Sequence, residues 1–222
     1  MQKLVIFDLD GTLVDTLPDI SWAMNKALNN LGYNGSYSLE EMKTFIGSGE
    51  YILTKRALEK QGIFEEEKIK EVQKMYNSIY TANCKNLTKP FEGIIDGLER
   101  LKENGFKLVV FSNKPHTETL KVVNYYFREG MFDYVRGGVE GFPIKPATDG
   151  IKVILNKLSI IDTTNTYYVG DSDVDMKTGI NVSLKTIGTS YGYCKKIVLE
   201  SFNPYKVVDS VNELFELILN NN

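Results

Sequence analysis

Short runs of consecutive apolar residues alternate with longer segments of helical periodicity over most of this 222-residue chain. The three clearest runs end in polar residues and lie at 3–8 (KLVIFD), 107–112 (KLVVFS) and 166–171 (TYYVGD). Unbroken apolar runs of this length are typical of strands that are buried on both faces of a parallel sheet. Helical patterns lie between or after these runs, at 95–104, 116–128, 147–158 and 173–180. The alternation predicts right-handed βαβ units and therefore an α/β fold with a doubly wound parallel sheet.

A purely helical pattern fills the segment from residue 17 to residue 86. Pro18 suits the first turn of a helix, and Gly32 follows that helix as a C-terminal stop. Ser38 and Glu41 have the spacing of a capping box, which predicts a second helix start, and Ser210 and Glu213 repeat this spacing near the C-terminus. We therefore expect a helical cap domain at 17–86, inserted into an α/β core formed by 1–16 and 87–222.

Composition and charge narrow the class of protein. The chain has 26 basic and 29 acidic residues and a net charge of −3, without a basic stripe, so neither nucleic acid nor an acidic membrane is an expected partner. The N-terminal apolar run is too short for a signal peptide or a spanning helix, so the sequence predicts a cytoplasmic protein. We expect Cys84 and Cys194 to be free thiols. The single histidine, His116, leaves no histidine-based metal site.

Polar residues follow the three predicted strands where each strand ends. Asp8, Ser112 and Asp171 occupy these ends, and ligands of open parallel sheets bind at this edge. A single strand-terminal Asp or Ser usually caps the next turn, but three of them on separate strands indicate a site.

Two acid clusters give this site its predicted chemistry. Asp8 and Asp10 are two residues apart, and their mutual repulsion calls for a positive charge nearby. Asp171 lies at the entrance of a predicted helix, and Asp175 lies one turn further on the same side. Carboxylates and substrate phosphate oxygens are the ligands that Mg²⁺ prefers, so the clusters predict a magnesium site. Lys145 is held between two prolines. It is a candidate to neutralise an aspartate that attacks a phosphate group, together with one oxygen of that phosphate.

The chain resembles a known superfamily of enzymes. DLDGT at 8–12, FSN at 111–113, Lys145-Pro146 and GDSDVD at 170–175 resemble the four ordered motifs of the haloacid dehalogenase-like hydrolases. The resemblance covers nearly the whole chain, including a helical cap inserted after the first motif. The pattern of the chain is most similar to the phosphoglycolate-phosphatase-like branch. It implies a Rossmann-like core and catalysis through an aspartyl-phosphate.

The resemblance also implies a role for each matching residue. Asp8 would be the nucleophile and a metal ligand, and Lys145 would orient it. Asp10 would protonate the leaving oxygen, then activate water, and would lend the metal its backbone carbonyl. Asp171 would bind the metal directly. Asp175 would hold metal-bound water or position its neighbours.

Candidate substrate contacts come from two places. Ser112 would bind the transferring phosphoryl group, and Asn113 beside it offers further donors. In the expected cap, Gly47 lies in a Gly-Ser-Gly loop and Arg56 on the helix that follows. These two are candidates to contact the non-phosphate end of the substrate, although such glycines also serve as ordinary turns and such an arginine as part of a solvated helix face.

The sequence therefore predicts a Mg²⁺-dependent phosphatase that hydrolyses a small phosphorylated metabolite similar to phosphoglycolate. Three alternatives remain at this point. A phosphomutase of the β-phosphoglucomutase type shares all four motifs. A metal-independent haloacid dehalogenase is disfavoured because Asp10 is present, and a catalytically silent binding module is disfavoured by the complete set of acids with Lys145. The sequence assigns no oligomeric state.

Overall fold

The computed structural model describes residues 2–221 of the chain. They form two compact units. The core unit contains the residues up to Asp15 and those from Pro90 onward, and the helical unit is Thr16–Lys89. The strands are β1 (Leu4–Phe7), β2 (Val14–Asp15), β3 (Lys89–Pro90), β4 (Lys107–Pro115), β5 (Tyr134–Gly138), β6 (Thr166–Gly170), β7 (Lys185–Thr189) and β8 (Lys206–Val208). The helices are α1 (Leu17–Asn30), α2 (Leu39–Lys43), α3 (Gly49–Glu59), α4 (Glu66–Asn83), α5 (Ile94–Glu103), α6 (His116–Tyr126), α7 (Asp149–Lys157), α8 (Asp173–Ile180), α9 (Lys196–Glu200) and α10 (Val211–Asn220).

Six strands of the core unit form one parallel sheet in the order β5-β4-β1-β6-β7-β8. The chain places β4 and β5 on one side of β1 and then crosses to the other side for β6, β7 and β8. Ligands of open parallel sheets bind beyond the carboxyl ends of the strands, where the strand order reverses in this way. The register places Phe7 beside both Val110 and Val169, so Asp8, Ser112 and Asp171, which come one or two residues later, lie at one edge. The predicted α/β fold is confirmed.

One face of the sheet packs against α7. Leu4 and Ile6 of β1 belong to a buried cluster that includes Ile151 and Ile154 of α7. Alternate residues of a strand point to opposite faces, and all four residues of β1 are buried. Burial on both faces is the reason that the sequence of β1 is apolar throughout.

The opposite face of the sheet packs against α10 and α5. The ring of Phe7 lies 6.5 Å from the ring of Phe215 on α10. A Cβ atom on Gly97 of α5 would lie 2.0 Å from Cδ2 of Phe215, so a glycine is needed where this ring meets the helix. The sequence pattern of α5 shows an apolar stripe but does not reveal this contact.

The helical unit contains α1 to α4, and its first turn is tied to its last residues. Asp19 lies in the first turn of α1 and is 1% exposed. Its carboxylate accepts hydrogen bonds from the backbone N–H groups of Leu87, at 2.9 Å, and Thr88, at 2.8 Å, and from the Thr88 hydroxyl at 2.7 Å. The two ends of this unit are thus held together by a buried side chain.

The helix boundaries in this unit follow the sequence signals. After α1, Gly32 has a φ of 80°, and the N–H of Tyr33 donates to the carbonyl of Leu28 at 2.9 Å. This left-handed turn is the C-terminal stop that the sequence predicts. At the start of α2, Ser38 and Glu41 form the predicted capping box.

Two local features differ from the sequence-based expectation. The strand predicted at 107–112 extends to Pro115, because Pro115 pairs with Gly138 of β5 after an irregularity in register. At the start of α10, Ser210 accepts the N–H of Glu213, but the Glu213 carboxylate accepts the N–H of Asp209, so only half of the predicted capping box forms. Neither Cys84 nor Cys194 forms a disulfide between residues 2 and 221, in agreement with the expected thiols. Between residues 2 and 221, no helix is both long enough and apolar enough to cross a membrane.

Candidate active site

Three buried carboxylates meet at the carboxyl edge of the sheet. Asp8 follows β1, Asp171 follows β6, and Asp175 lies in the first turn of α8. Each offers one oxygen, and the three oxygens lie within 4.8 Å of one another. These are three of the four acids in which the sequence predicts metal ligands.

Asp171 is fixed by contacts from two loops of the core unit. Its Oδ1 accepts a hydrogen bond from the Thr12 hydroxyl at 3.2 Å, and its Oδ2 accepts one from the N–H of Tyr193 at 2.8 Å. Gly11 has a φ of 81°, and a Cβ atom there would lie 2.2 Å from Oδ2 of Asp171. The glycine of the DLDGT motif is therefore required both by its backbone conformation and by the close approach of Asp171.

Asp175 is the most strongly held of the three acids. It is fully buried and forms a capping box with Ser172, which accepts its N–H at 3.2 Å. Its Oδ1 accepts from the Lys145 ammonium at 2.7 Å and from the Tyr168 hydroxyl at 3.0 Å. Asp175 lies close to Asp171, as the sequence predicts, whereas its capping box and its bond to Tyr168 are not among the predictions. The spacing from Ser172 to Asp175 was the signal for the box, with Asp in place of the usual Glu or Gln.

Lys145 lies between two of the acids. Its ammonium is 2.9 Å from Oδ1 of Asp8 and 2.7 Å from Oδ1 of Asp175, and the residue is 3% exposed. Its backbone is held by the Asn113 side chain, whose Oδ1 accepts the N–H of Lys145 at 2.8 Å and whose Nδ2 donates to its carbonyl at 3.1 Å. Asn113 thus positions Lys145, and its predicted contact with substrate stays a prediction.

The burial of these groups perturbs their proton affinities. Burial, reinforced by the charge of Asp175, raises the pKa of Asp8 to about 7, although Lys145 opposes the change. Burial and the charges of Asp175 and Asp8 raise the pKa of Asp171 well above its usual range. Burial alone would lower the pKa of Lys145, but the charges of Asp175 and Asp8 hold it well above its ordinary value. Negative charge is therefore crowded around a single ammonium group in this part of the site.

Asp10 and Ser112 lie in the same region of the core unit, and Lys114 contacts both of them. The ammonium of Lys114 is 3.0 Å from Oδ1 of Asp10, and its side chain is 4% exposed. Ser112 is 2% exposed, and its hydroxyl accepts the N–H of Lys114 at 3.2 Å. Lys114 follows the FSN motif directly, but nothing in the sequence indicates its ion pair with Asp10.

The two predicted substrate contacts of the cap belong to the helical unit. Gly47 lies between α2 and α3 with a φ of 107°. Arg56 lies on α3, and its Nη1 donates to the carbonyls of Thr44 at 3.3 Å and Phe45 at 3.1 Å, just after α2. This arginine satisfies carbonyls at a helix end, whereas the sequence suggested only a solvated helix face as its structural role. Substrate contact by Gly47 and Arg56 stays a prediction.

The acid cluster fits a small divalent cation. Its donors are carboxylate oxygens, which hard cations prefer over nitrogen and sulfur. Burial and the neighbouring carboxylates raise the pKa values of Asp8 and Asp171, so positive charge placed beside them would stabilise their ionised forms. A cation held by Asp8, Asp171 and Asp175 would supply that charge.

Comparisons with known proteins agree with this geometry. A family profile described as haloacid dehalogenase-like hydrolase matches residues 5–189. The chain is 32% identical to the phosphoglycolate phosphatase of Haemophilus influenzae, with 97% of this chain and 98% of that protein covered. It is 29% identical to the phosphoglycolate phosphatase of Psychrobacter arcticus, with 98% and 96% covered. A crystal structure from Lactobacillus delbrueckii subsp. bulgaricus, of a protein assigned as a phosphoglycolate phosphatase, has a TM-score of 0.92, 29% identity, and coverage of 98% of this chain and 99% of that one.

Proposed function

The chain belongs to the haloacid dehalogenase-like hydrolase family and is a phosphatase, and from this premise we propose that it hydrolyses phosphoglycolate or a closely similar phosphate monoester with the help of Mg²⁺. The observation that carries the proposal is the contact between Lys145 and Asp8 beside two further buried carboxylates. The names of the relatives support the choice of substrate.

Asp8 is proposed as the nucleophile. Lys145 and the N–H of Leu9 both contact its Oδ1, at 2.9 Å and 2.7 Å, so the orientation of the carboxylate is fixed before substrate binds. A carboxylate oxygen of Asp8 attacks phosphorus, and the bond between phosphorus and the ester oxygen breaks. Since both reactants are anionic, positioning and charge neutralisation carry much of the catalysis. The Ser112 hydroxyl is proposed to hold the transferring phosphoryl group.

Asp10 is proposed to move the proton in both half-reactions. It protonates the departing alkoxide oxygen, which leaves as the alcohol. It then takes a proton from water as the water oxygen attacks phosphorus, and the bond to Asp8 breaks to release inorganic phosphate. Asp8, Asp171 and Asp175 would hold Mg²⁺, with the backbone carbonyl of Asp10 as a further ligand. The ion would supply positive charge to the phosphoryl oxygens.

Phosphate release from a panel of esters tests this proposal. The panel contains phosphoglycolate, glucose 1-phosphate, a nucleoside monophosphate and p-nitrophenyl phosphate, each with Mg²⁺ and with a chelator. We expect Mg²⁺-dependent phosphate release, fastest with phosphoglycolate. Activity that survives thorough chelation would contradict the role of the metal. Isomerisation of glucose 1-phosphate without phosphate release would identify a phosphomutase instead.

Two variants test whether Asp8 is the nucleophile. Asp8→Asn is expected to abolish turnover, because an amide is a poor nucleophile and lacks the anionic charge of a metal ligand. Asp173→Asn is the matched control, since Asp173 is a partly exposed acid of the GDSDVD segment and pairs with Lys177. Circular dichroism checks that both variants fold. Near-normal turnover by Asp8→Asn would remove Asp8 from the role of nucleophile.

A further inference from the structure

Two cations are buried among residues 2–221, and the proposed mechanism uses only one of them. Lys145 is shared by Asp8 and Asp175, at 2.9 Å and 2.7 Å. Lys114 is 7% exposed, lies at the carboxyl end of β4, and contacts Asp10 at 3.0 Å. Burying an ammonium group is costly, so a buried lysine at an active site calls for an anionic partner. Asp10 is one such partner.

The position of Lys114 relative to Asp10 suggests a second anionic partner. A general acid lies within hydrogen-bond distance of the ester oxygen that it protonates. Two atoms that lie about 3 Å from the two oxygens of one carboxylate are within roughly 8 Å of each other. The Lys114 ammonium is therefore close to the place where the proposed mechanism puts the ester oxygen.

The chemistry of the proposed substrate places a carboxylate beside the ester oxygen. In a phosphate ester of a 2-hydroxy acid, such as phosphoglycolate, the carbon that bears the ester oxygen also bears the carboxylate. The ammonium group of Lys114, which lies near the ester oxygen, is thus within reach of that carboxylate. An ammonium group has three N–H donors, which can serve Asp10 and a substrate carboxylate together.

We propose that Lys114 binds the carboxylate of the substrate and so makes the enzyme selective for phosphate esters of 2-hydroxy acids. This inference rests on the proposed function, because it takes the ester oxygen to lie at Asp10. Lys114 contributes selectivity through direct contact with the leaving group, whereas Lys145 acts at the nucleophile.

Two matched substrates test the role of Lys114. Phosphoglycolate and 2-hydroxyethyl phosphate have similar size, but the second carries a neutral hydroxymethyl group in place of the carboxylate. Lys114→Met is expected to lower kcat/KM for phosphoglycolate by on the order of 100-fold, as for loss of a desolvated charge pair, and to lower it much less for 2-hydroxyethyl phosphate. Lys114→Arg keeps the charge and should retain most of the preference. Lys196→Met is the control, since Lys196 forms an exposed pair with Asp209.

An equal loss for both substrates would overturn the inference, because Lys114 would then act only through Asp10. Binding provides a second measurement that needs no turnover. In the Asp8→Asn background, calorimetry should show that Lys114→Met weakens phosphoglycolate much more than 2-hydroxyethyl phosphate. The same loss for both ligands would again overturn the inference. Carboxylate-selective binding without any turnover by the wild-type enzyme would overturn the proposed function and leave the binding role of Lys114 intact.

Discussion

Replacing Asp171 by Asn should make the metal-free protein more stable while removing its response to Mg²⁺. The side chain is 2% exposed and faces two other carboxylates within 4.8 Å. An amide can keep both existing contacts, because its oxygen can accept the N–H of Tyr193 and its nitrogen can donate to the Thr12 hydroxyl. The variant therefore removes a buried charge without removing the shape or the hydrogen bonds around it.

The size of the metal response follows from binding linkage. Mg²⁺ at about 100 times its Kd stabilises the wild-type protein by about 2.7 kcal/mol. For a chain of about 220 residues, about 1 kcal/mol moves Tm by roughly 2–4 °C, so the expected rise is about 5–11 °C. If the variant binds about 100-fold more weakly, the same Mg²⁺ adds only about 0.4 kcal/mol, or roughly 1–2 °C.

The pH dependence of stability gives a second, independent test of the charge on Asp171. Because the pKa of Asp171 is raised in the folded protein, its contribution to stability is complete at low pH and is lost as pH rises through the folded value. The asparagine variant lacks this loss. Its stability advantage over the metal-free wild-type protein should therefore grow as the pH rises above the ordinary pKa of an aspartate, about 4.

Thermal unfolding with chelator and with Mg²⁺ measures the stability of the metal-free protein and its response to Mg²⁺. Repeating the chelator series at several pH values measures the pH dependence. Asp173→Asn is the control, because its side chain is 46% exposed and pairs with Lys177 on the surface. A wild-type response to Mg²⁺ in Asp171→Asn would refute the assignment of Asp171 as a ligand. A metal-free variant less stable than the wild-type protein would refute the account of the crowded charge.

Three further substitutions test other parts of the structure. Asp10→Asn should slow phosphoryl transfer from alkyl phosphates more than from p-nitrophenyl phosphate, whose leaving group needs no proton; rapid-quench kinetics showing an equal loss would rule out acid catalysis. Gly97→Ala should destabilise the protein by about 1–3 kcal/mol in chemical denaturation, because the new Cβ meets the Phe215 ring, and unchanged stability would mean that the helix shifts freely. Ser38→Ala should cost about 1 kcal/mol by removing the cap of α2, with Ser36→Ala as the exposed control, and equal effects of the two would argue against the cap.

The main features of the fold and the acid cluster could be read from the sequence because they depend on local pattern. An apolar run such as residues 4–7 predicts a buried strand, and parallel strands bring their carboxyl ends to one edge. Asp8 and Asp171 could therefore be placed together before their distance was known.

Contacts between loops that are distant in sequence could not be read in this way. The Lys114–Asp10 ion pair and the hydrogen bond from the N–H of Tyr193 to Asp171 join segments whose approach depends on the packing of the whole core unit. The residue types alone do not predict these contacts, since a lysine near the end of a strand is usually solvated. The roles of Asn113 and Arg56 were uncertain for the same reason, because both side chains bind backbone groups of another segment.

The buried carboxylate of Asp19 has a consequence for how such a protein can change over evolution. By binding the backbone of Leu87 and Thr88, it brings the first and last turns of the helical unit to one place. A folded insert whose ends meet adds little more closure entropy to its host than a short loop would. The core can then accept inserts of very different length at this point without losing its own stability. An insert of a different length would then leave the residues that perform the chemistry where they are.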